Sequence, residues 1–242
     1  MKGLKLVSLS AALVLPFTAI AEATDSFSKA KKLMMEKVYF DHRETLYCGA
    51  TFDENKRITF PVGFQTEKHV KRAKRVEWEH VVPAENFGRT FSEWRDGHPN
   101  CVDSKGKAFK GRNCASKANK EYRYMQSDLY NLYPAIGAVN AMRSNYNFTM
   151  LPDVKSAFGS CLVKIDNRKV EPTIESKGQI ARTYLYMEQR YPRYKMSRSQ
   201  RNLMLAWNKM YPVSDWECLR AGRISKVQGN ENVFVSEHCG AH

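Results

Sequence analysis

Between residues 26 and 40, SFSKAKKLMMEKVYF places Phe27, Ala30, Leu33, Met34 and Phe40 near helical spacing with basic residues between them, which predicts an amphipathic first helix. From Cys48 to Gly63 the pattern shortens. Apolar pieces such as RITF stand between Gly49, Asp53, Asn55 and Pro61, as strands or irregular hairpins would. Residues 96 to 119 are polar and rich in glycine and lysine, and predict a long loop of the kind that often carries function. In NKEYRYMQSDLYNLYPAIG, Tyr124, Asp128 and Asn131 fall at spacings that share a helical neighbourhood, with Pro134 kinking or ending that helix. The C-terminal part is more regular. GQIARTYLYMEQRY repeats Ile180, Tyr184, Met187 and Tyr191 at helical spacing, and SRSQRNLMLAWNKMYP opens with Ser197 and Gln200 in capping-box register. DWECLRAGRISKVQG runs from a cap at Asp215 to a stop at Gly229. Helical ends around a middle of short strands predict an α+β, helix-rich single domain and no parallel βαβ sheet.

Composition divides the chain once. MKGLKLVSLSAALVLPFTAIAEA carries Lys2 and Lys5, an apolar core and small residues placed for cleavage, so residues 1–21 read as a signal peptide, with cleavage as late as 23. Its apolar run is short for a membrane span, and residues 24–242 contain no second one. Removing it leaves the formal charge of +14 little altered, which suggests nucleic acid, an anionic membrane surface or cell-wall polymers as partner. All six cysteines lie in the exported part and are expected to form three disulfides. Cys101 with Cys114 would close a short loop, and with no CxxC in the chain a zinc site is disfavoured.

Against this basic background, RVEWEHVVPAENFG gathers Glu77, Glu79, His80 and Glu85 among apolar residues, directly after Lys68, Lys71, Arg72, Lys74 and Arg75. His80 alone among the six histidines is flanked by carboxylates and by apolar residues on both sides. A neutral imidazole can take a proton from water. Glu79 offers oxygen to a hard divalent ion, with Asn131 and Asp128 as downstream partners, because Mg²⁺ keeps several waters and needs few protein ligands. Adjacent strand residues point to opposite faces, so bringing Glu79 and His80 together requires a strand end or bulge before Pro83. The plain alternative is that the glutamates pair with Lys74, Arg75 and Arg89 and that His80 is a buried structural group.

RVEWEHVVPAENFG, SDLYNLYPAIGAVNAMRSNYNF, GQIARTYLYM and AWNKMYPVSDWECLRAGRISKVQGN together resemble the endonuclease I family of exported bacterial nucleases, in particular its periplasmic and secreted Vibrio-type deoxyribonucleases. The resemblance runs from about Ala30 to Cys239. It implies a ββα-metal, or His-Me finger, unit in which a hairpin delivers the histidine and a following helix a metal ligand. It also implies Mg²⁺-dependent cleavage of DNA, with RNA often accepted, leaving 5′-phosphates. Carried over, His80 is the general base, Glu79 and Asn131 hold one Mg²⁺, and Arg112, or failing it Arg95, steadies the cleaved phosphate. Family members with eight cysteines have two more, where this chain carries Ala50 and Val62. Lys68, Lys71, Arg72, Lys74, Lys117, Lys120 and Arg123 become candidate phosphate contacts, and Tyr122, Tyr124 and Tyr130 candidate stacking residues. The expected protein is a monomer in the periplasm or medium, bound to no membrane. Rival readings are a nuclease acting mainly on RNA and an exported nucleic-acid-binding protein without catalysis.

Overall fold

The computed structural model describes residues 23–240, so the signal peptide expected over residues 1–21 lies outside the described residues. The lysine-rich opening is helical as its period predicts. Helix α1 (Phe27–Leu33) is capped by the Ser26 hydroxyl, which accepts from the Lys29 N–H, and it widens into a π turn over Met34–Val38. Ala30, Met34 and Val38 are buried and form its inner face. The glycine-punctuated stretch then gives a small antiparallel hairpin, β1 (Thr51–Phe52) with β2 (Ile58–Thr59). The basic run makes one turn, α2 (Val70–Ala73), and straightens into β3 (Val76–His80).

Pro83 carries the chain out of β3 into α3 (Ala84–Gly88), followed by α4 (Ser92–Arg95). The segment expected to be one long loop is irregular only as far as Gly111, where α5 (Arg112–Ala118) begins. The Cys101–Cys114 disulfide pins that loop to the new helix. Helix α6 (Lys120–Ser127) follows, capped by Asn119, and ends at Asp128. A 3₁₀ turn over Leu129–Asn131 leads into β4 (Leu132–Ile136), antiparallel to β3 with His80 opposite Leu132.

The helix expected up to Pro134 therefore stops early, and Pro134 lies within a strand. A tertiary contact explains the turn. The buried Asp128 carboxylate accepts from the Tyr130 N–H, from the hydroxyls of Tyr186 and Tyr191 and from Gln228, and so draws the chain away from the helix axis. The β3–β4 sheet has two strands and hence free edges, where proline is tolerated.

Strand β4 runs directly into α7 (Gly137–Arg143), which packs against β3. Beyond it, β5 (Asn147–Phe148), β6 (Lys164–Asp166) and β7 (Lys169–Glu171) form a sheet of order β5–β7–β6, with β5 and β7 parallel. Cys48–Cys161 ties this region to the first hairpin.

The last helices, α8 (Ile174–Arg190), α9 (Arg198–Met210) and α10 (Asp215–Gln228), fall where the periodicity places them. Ser214, one residue before the expected Asp215, caps α10, and Gly229 ends it in the left-handed conformation. The short α11 (Val233–Ser236) is held by Cys218–Cys239, which removes both cysteines from any metal site.

Two buried arginines join these helices, one linking them to each other and one to the middle of the fold. Arg182 of α8 meets Glu217 of α10 through two bonds of 2.6 Å. Arg220 of α10 lies 3.7 Å from the Tyr133 ring centroid and donates to the carbonyls of Leu129 and Leu132. Strand β4 is thus set against a wall of C-terminal helices. No helix among the described residues is long and apolar enough to cross a membrane.

Candidate active site

The end of β3 and the first turns of α7 face a cleft of about 420 Å³ that is also lined by Arg112. Trp78, Glu79 and His80 all reach it because β3 ends at His80, so strict alternation is lost there. Arg143, fully buried on α7, holds that strand end. Its guanidinium donates to the carbonyls of His80 at 2.8 Å and Val81 at 2.5 Å, taking over from the ladder bonds the strand no longer makes.

The same guanidinium pairs with Glu79 Oε1 at 2.8 Å, and the Tyr47 hydroxyl donates to that oxygen at 2.6 Å. Both contacts fall on Oε1, leaving Oε2 without a hydrogen-bond partner among the described residues. Burial pushes the Glu79 carboxyl above its usual range, against the pull of Arg143 and of the Tyr47 hydroxyl. A cation at Oε2 would favour the ionised form further.

His80 Nε2 lies 2.8 Å from the backbone carbonyl of Gln126. A carbonyl only accepts, so the proton sits on Nε2 and the lone pair of the neutral ring on Nδ1. Burial, together with the Arg112 charge, lowers the His80 pKa to about 3, although the Gln126 bond opposes this, and the ring is therefore neutral near pH 7. Phe27 packs its ring 4.9 Å from the imidazole and fixes its plane from the other side.

Asn131, the expected partner of Glu79, does not open onto the cleft. It is completely buried, its Oδ1 accepts from the Val82 N–H at 2.7 Å, and its Nδ2 donates to the Val82 carbonyl at 3.0 Å. Asp128 is likewise spent on the tyrosines and Gln228. The asparagine that lines the cleft is Asn140 of α7. Its Nδ2 donates to Glu77 Oε2 at 2.8 Å, and its Oδ1 has no hydrogen-bond partner among the described residues. Glu77, in turn, is gripped by Arg72 through bonds of 2.7 and 2.5 Å, so a salt bridge orients the amide.

The match of DLYNL to the family pattern points to Asn131, but that residue lies in the turn before β4, whereas the helix after the hairpin is α7. The available signal was GAVNAMR, in which Asn140 and Arg143 are three apart and share a helical face.

Of the two candidate arginines, only Arg112 reaches the cleft. It is the first residue of α5, behind Gly111, whose φ of 78° suits glycine, and its guanidinium lies 5.3 Å from the Phe27 ring centroid. Arg95 instead donates to the Arg89 carbonyl and lies 3.8 Å from Asp96. Glu85 pairs with Arg89 and accepts from Asn145.

The oxygen donors left free, one carboxylate and one amide, suit a hard divalent ion that keeps most of its waters. Among the described residues no cluster of three or more His, Cys, Asp and Glu forms a denser site. A larger cavity of about 640 Å³ lies beside Cys48 and Cys161, but its Glu171 is committed to Lys164 and Lys177, and its His42 is stacked on Trp216.

The model of the family described as endonuclease I matches residues 36–239. An "Extracellular deoxyribonuclease" of Aeromonas hydrophila is 37% identical over 97% of this chain and 98% of its own length. A "Periplasmic deoxyribonuclease" of the same organism is 37% identical over 98% of this chain and 96% of its own. An "Endonuclease-1" of Buchnera aphidicola is 39% identical over 88% and 84%. The stretch that builds the cleft, from β3 through α7, falls wholly within the matched residues, and the chain belongs to the endonuclease I family.

Proposed function

We propose that this protein is an exported, Mg²⁺-dependent endonuclease that hydrolyses phosphodiester bonds of double- and single-stranded DNA, and also of RNA, to leave 5′-phosphate and 3′-hydroxyl ends. We read β3, β4 and α7 as its ββα-metal unit. The observation that carries this reading is the cleft where His80 Nδ1, Glu79 Oε2 and Asn140 Oδ1 are each left without a hydrogen-bond partner among the described residues, beside Arg112.

His80, neutral and held by Gln126, takes a proton from water at Nδ1 as the water oxygen bonds to phosphorus and the bond from phosphorus to the 3′-oxygen breaks. Glu79 and Asn140 would hold the Mg²⁺ ion, which would neutralise phosphate charge and stabilise the leaving 3′-oxygen until solvent water protonates it to the hydroxyl. Arg112 steadies the phosphate of the product. Binding through phosphates carries no sugar or base information, which supports action on both nucleic acids. The names of the relatives support DNA as substrate and a periplasmic or extracellular location, and three disulfides suit an oxidising compartment.

His80→Ala should fold, bind DNA and lose nearly all cleavage of plasmid and of single strands in Mg²⁺, as the wild type should in EDTA. A His80→Ala protein with wild-type activity would remove the general base from this account. Wild-type protein that bound DNA yet left it intact with every divalent ion would make it a binding protein instead.

A further inference from the structure

Beside the cleft lies a second depression of about 480 Å³, lined by Lys31, Lys56, Lys71, Arg72 and Arg75, by Phe27, and by a single carboxylate, Glu77, which pairs with Arg72. It shares Arg72, Trp78 and Asn140 with the catalytic cleft, so the two are continuous. The cations come from three pieces of chain: α1, the turn between β1 and β2, and the basic run before β3.

Arg72 is engaged by Glu77, but Lys31, Lys56, Lys71 and Arg75 make no ion pair among the described residues. Among the other basic candidates, Lys68 and Lys74 also make no ion pair among the described residues but line neither depression, and three have partners elsewhere. Arg123 is paired with Asp25 at 3.0 Å, Lys117 lies over Phe109, and Lys120 over Tyr124. Lys56 is held at φ 64°, a conformation few non-glycine residues adopt, and still presents its charge to the groove. Gathering unpaired like charges from separate segments is unfavourable in the free protein, and a polyanion relieves it. Phe27 joins the two sites, since Lys31 lies 4.7 Å from its ring centroid and the centroid of the His80 ring lies 4.9 Å from it.

We propose that this groove is a subsite for the phosphates flanking the scissile one. A strand whose reacting phosphate lies between His80 and Arg112 continues past Asn140 into the groove, where Lys56, Lys71 and Arg75 take its next phosphates. The proposal rests on the nuclease reading above and adds a length requirement to it.

The test is the triple variant Lys56→Ala, Lys71→Ala, Arg75→Ala, three side chains that do not line the catalytic cleft. On a single strand of about a dozen nucleotides its kcat/KM should fall roughly tenfold or more, mainly through KM, and the loss should shrink as the substrate is shortened to a dinucleotide. Equal losses at both lengths, or no loss at either, would overturn the subsite. Binding of a labelled oligonucleotide in EDTA gives an arm independent of catalysis. The slope of log affinity against log salt should be shallower in the variant by about 2, at about 0.7 per single-strand phosphate. An unchanged slope overturns the proposal, as does a variant that loses binding to phosphatidylglycerol vesicles while keeping the oligonucleotide. If the wild type cleaves neither substrate, the nuclease reading fails, and the salt slope still decides whether the groove takes phosphates.

Discussion

Two asparagines lie near the site, one buried against the backbone and one lining the cleft. Asn131 satisfies both backbone groups of Val82, the residue that leads out of β3, whereas Asn140 keeps its amide oxygen free in the cleft. Asn131→Ala should therefore cost about 1–3 kcal/mol in urea unfolding, the penalty of buried polar groups left unpaired. Asn140→Ala should leave the unfolding midpoint nearly unchanged, while the Mg²⁺ concentration needed for half-maximal cleavage rises. The reverse pattern would return the ligand role to Asn131. Arg143 offers a sharper test, because its removal strands a buried carboxylate. Arg143→Met should lose about 3–5 kcal/mol of stability, and a loss under about 1 kcal/mol would show that Glu79 is not held as an ion in the free protein.

At the scale of elements, the junction between β4 and α7 sets the site. Gly137 begins α7 where the backbone passes so close to Arg72 that a Cβ would run into the Arg72 carbonyl and press on Glu77 Oε1. The Glu77 carboxylate, gripped by the Arg72 guanidinium, orients Asn140. Gly137→Ala should cost about 1–3 kcal/mol as an overpacked contact, and cleavage should fall with it by shifting α7 against β3. Wild-type cleavage in this variant would show that the Arg72, Glu77 and Asn140 chain is not needed. The other wall depends on α5 and α6, where the Cys101–Cys114 bridge and the Asn119 cap hold Arg112 and the Gln126 carbonyl at the cleft. A bridge closing a loop of this size is worth about 3 kcal/mol on the chain-entropy account, a model-dependent figure.

Across the whole molecule, Arg143 with Glu79 and Arg182 with Glu217 join distant segments, and the local cluster of Glu171 with Lys164 and Lys177 makes stability depend on pH in a defined direction. Burial alone would raise the Glu171 carboxyl, but hydrogen bonds from Lys177, the Leu151 N–H and Lys164 outweigh it and hold the group below its usual 4.5. A carboxyl depressed in the folded state stabilises above its unfolded value, and that stability is lost as pH falls through the folded one. The stability difference between wild type and Glu171→Gln should therefore be largest above about pH 4.5 and shrink below it. A difference that grew on acidification would reverse the sign assigned to this pair.

Local patterns carried what depends on neighbours in the chain. The amphipathic period of α1, the three long C-terminal helices, the Gly229 stop and the charge reversal at Glu79 and His80 are all visible in the sequence, because spacing and capping act over a few residues. The α+β composition of the fold follows from the same reading. Tertiary structure decided the rest. Asp128 ended α6 through Tyr186, Tyr191 and Gln228, which lie at least 58 residues away, so Asn131 fell into a turn and Pro134 into a strand. That Asn140 and not Asn131 lines the cleft, and that Cys48 pairs with Cys161, likewise rest on contacts between distant segments. Periodicity holds no record of such contacts, since the free energy that selects them comes from burial and hydrogen bonding that exist only once the chain has folded.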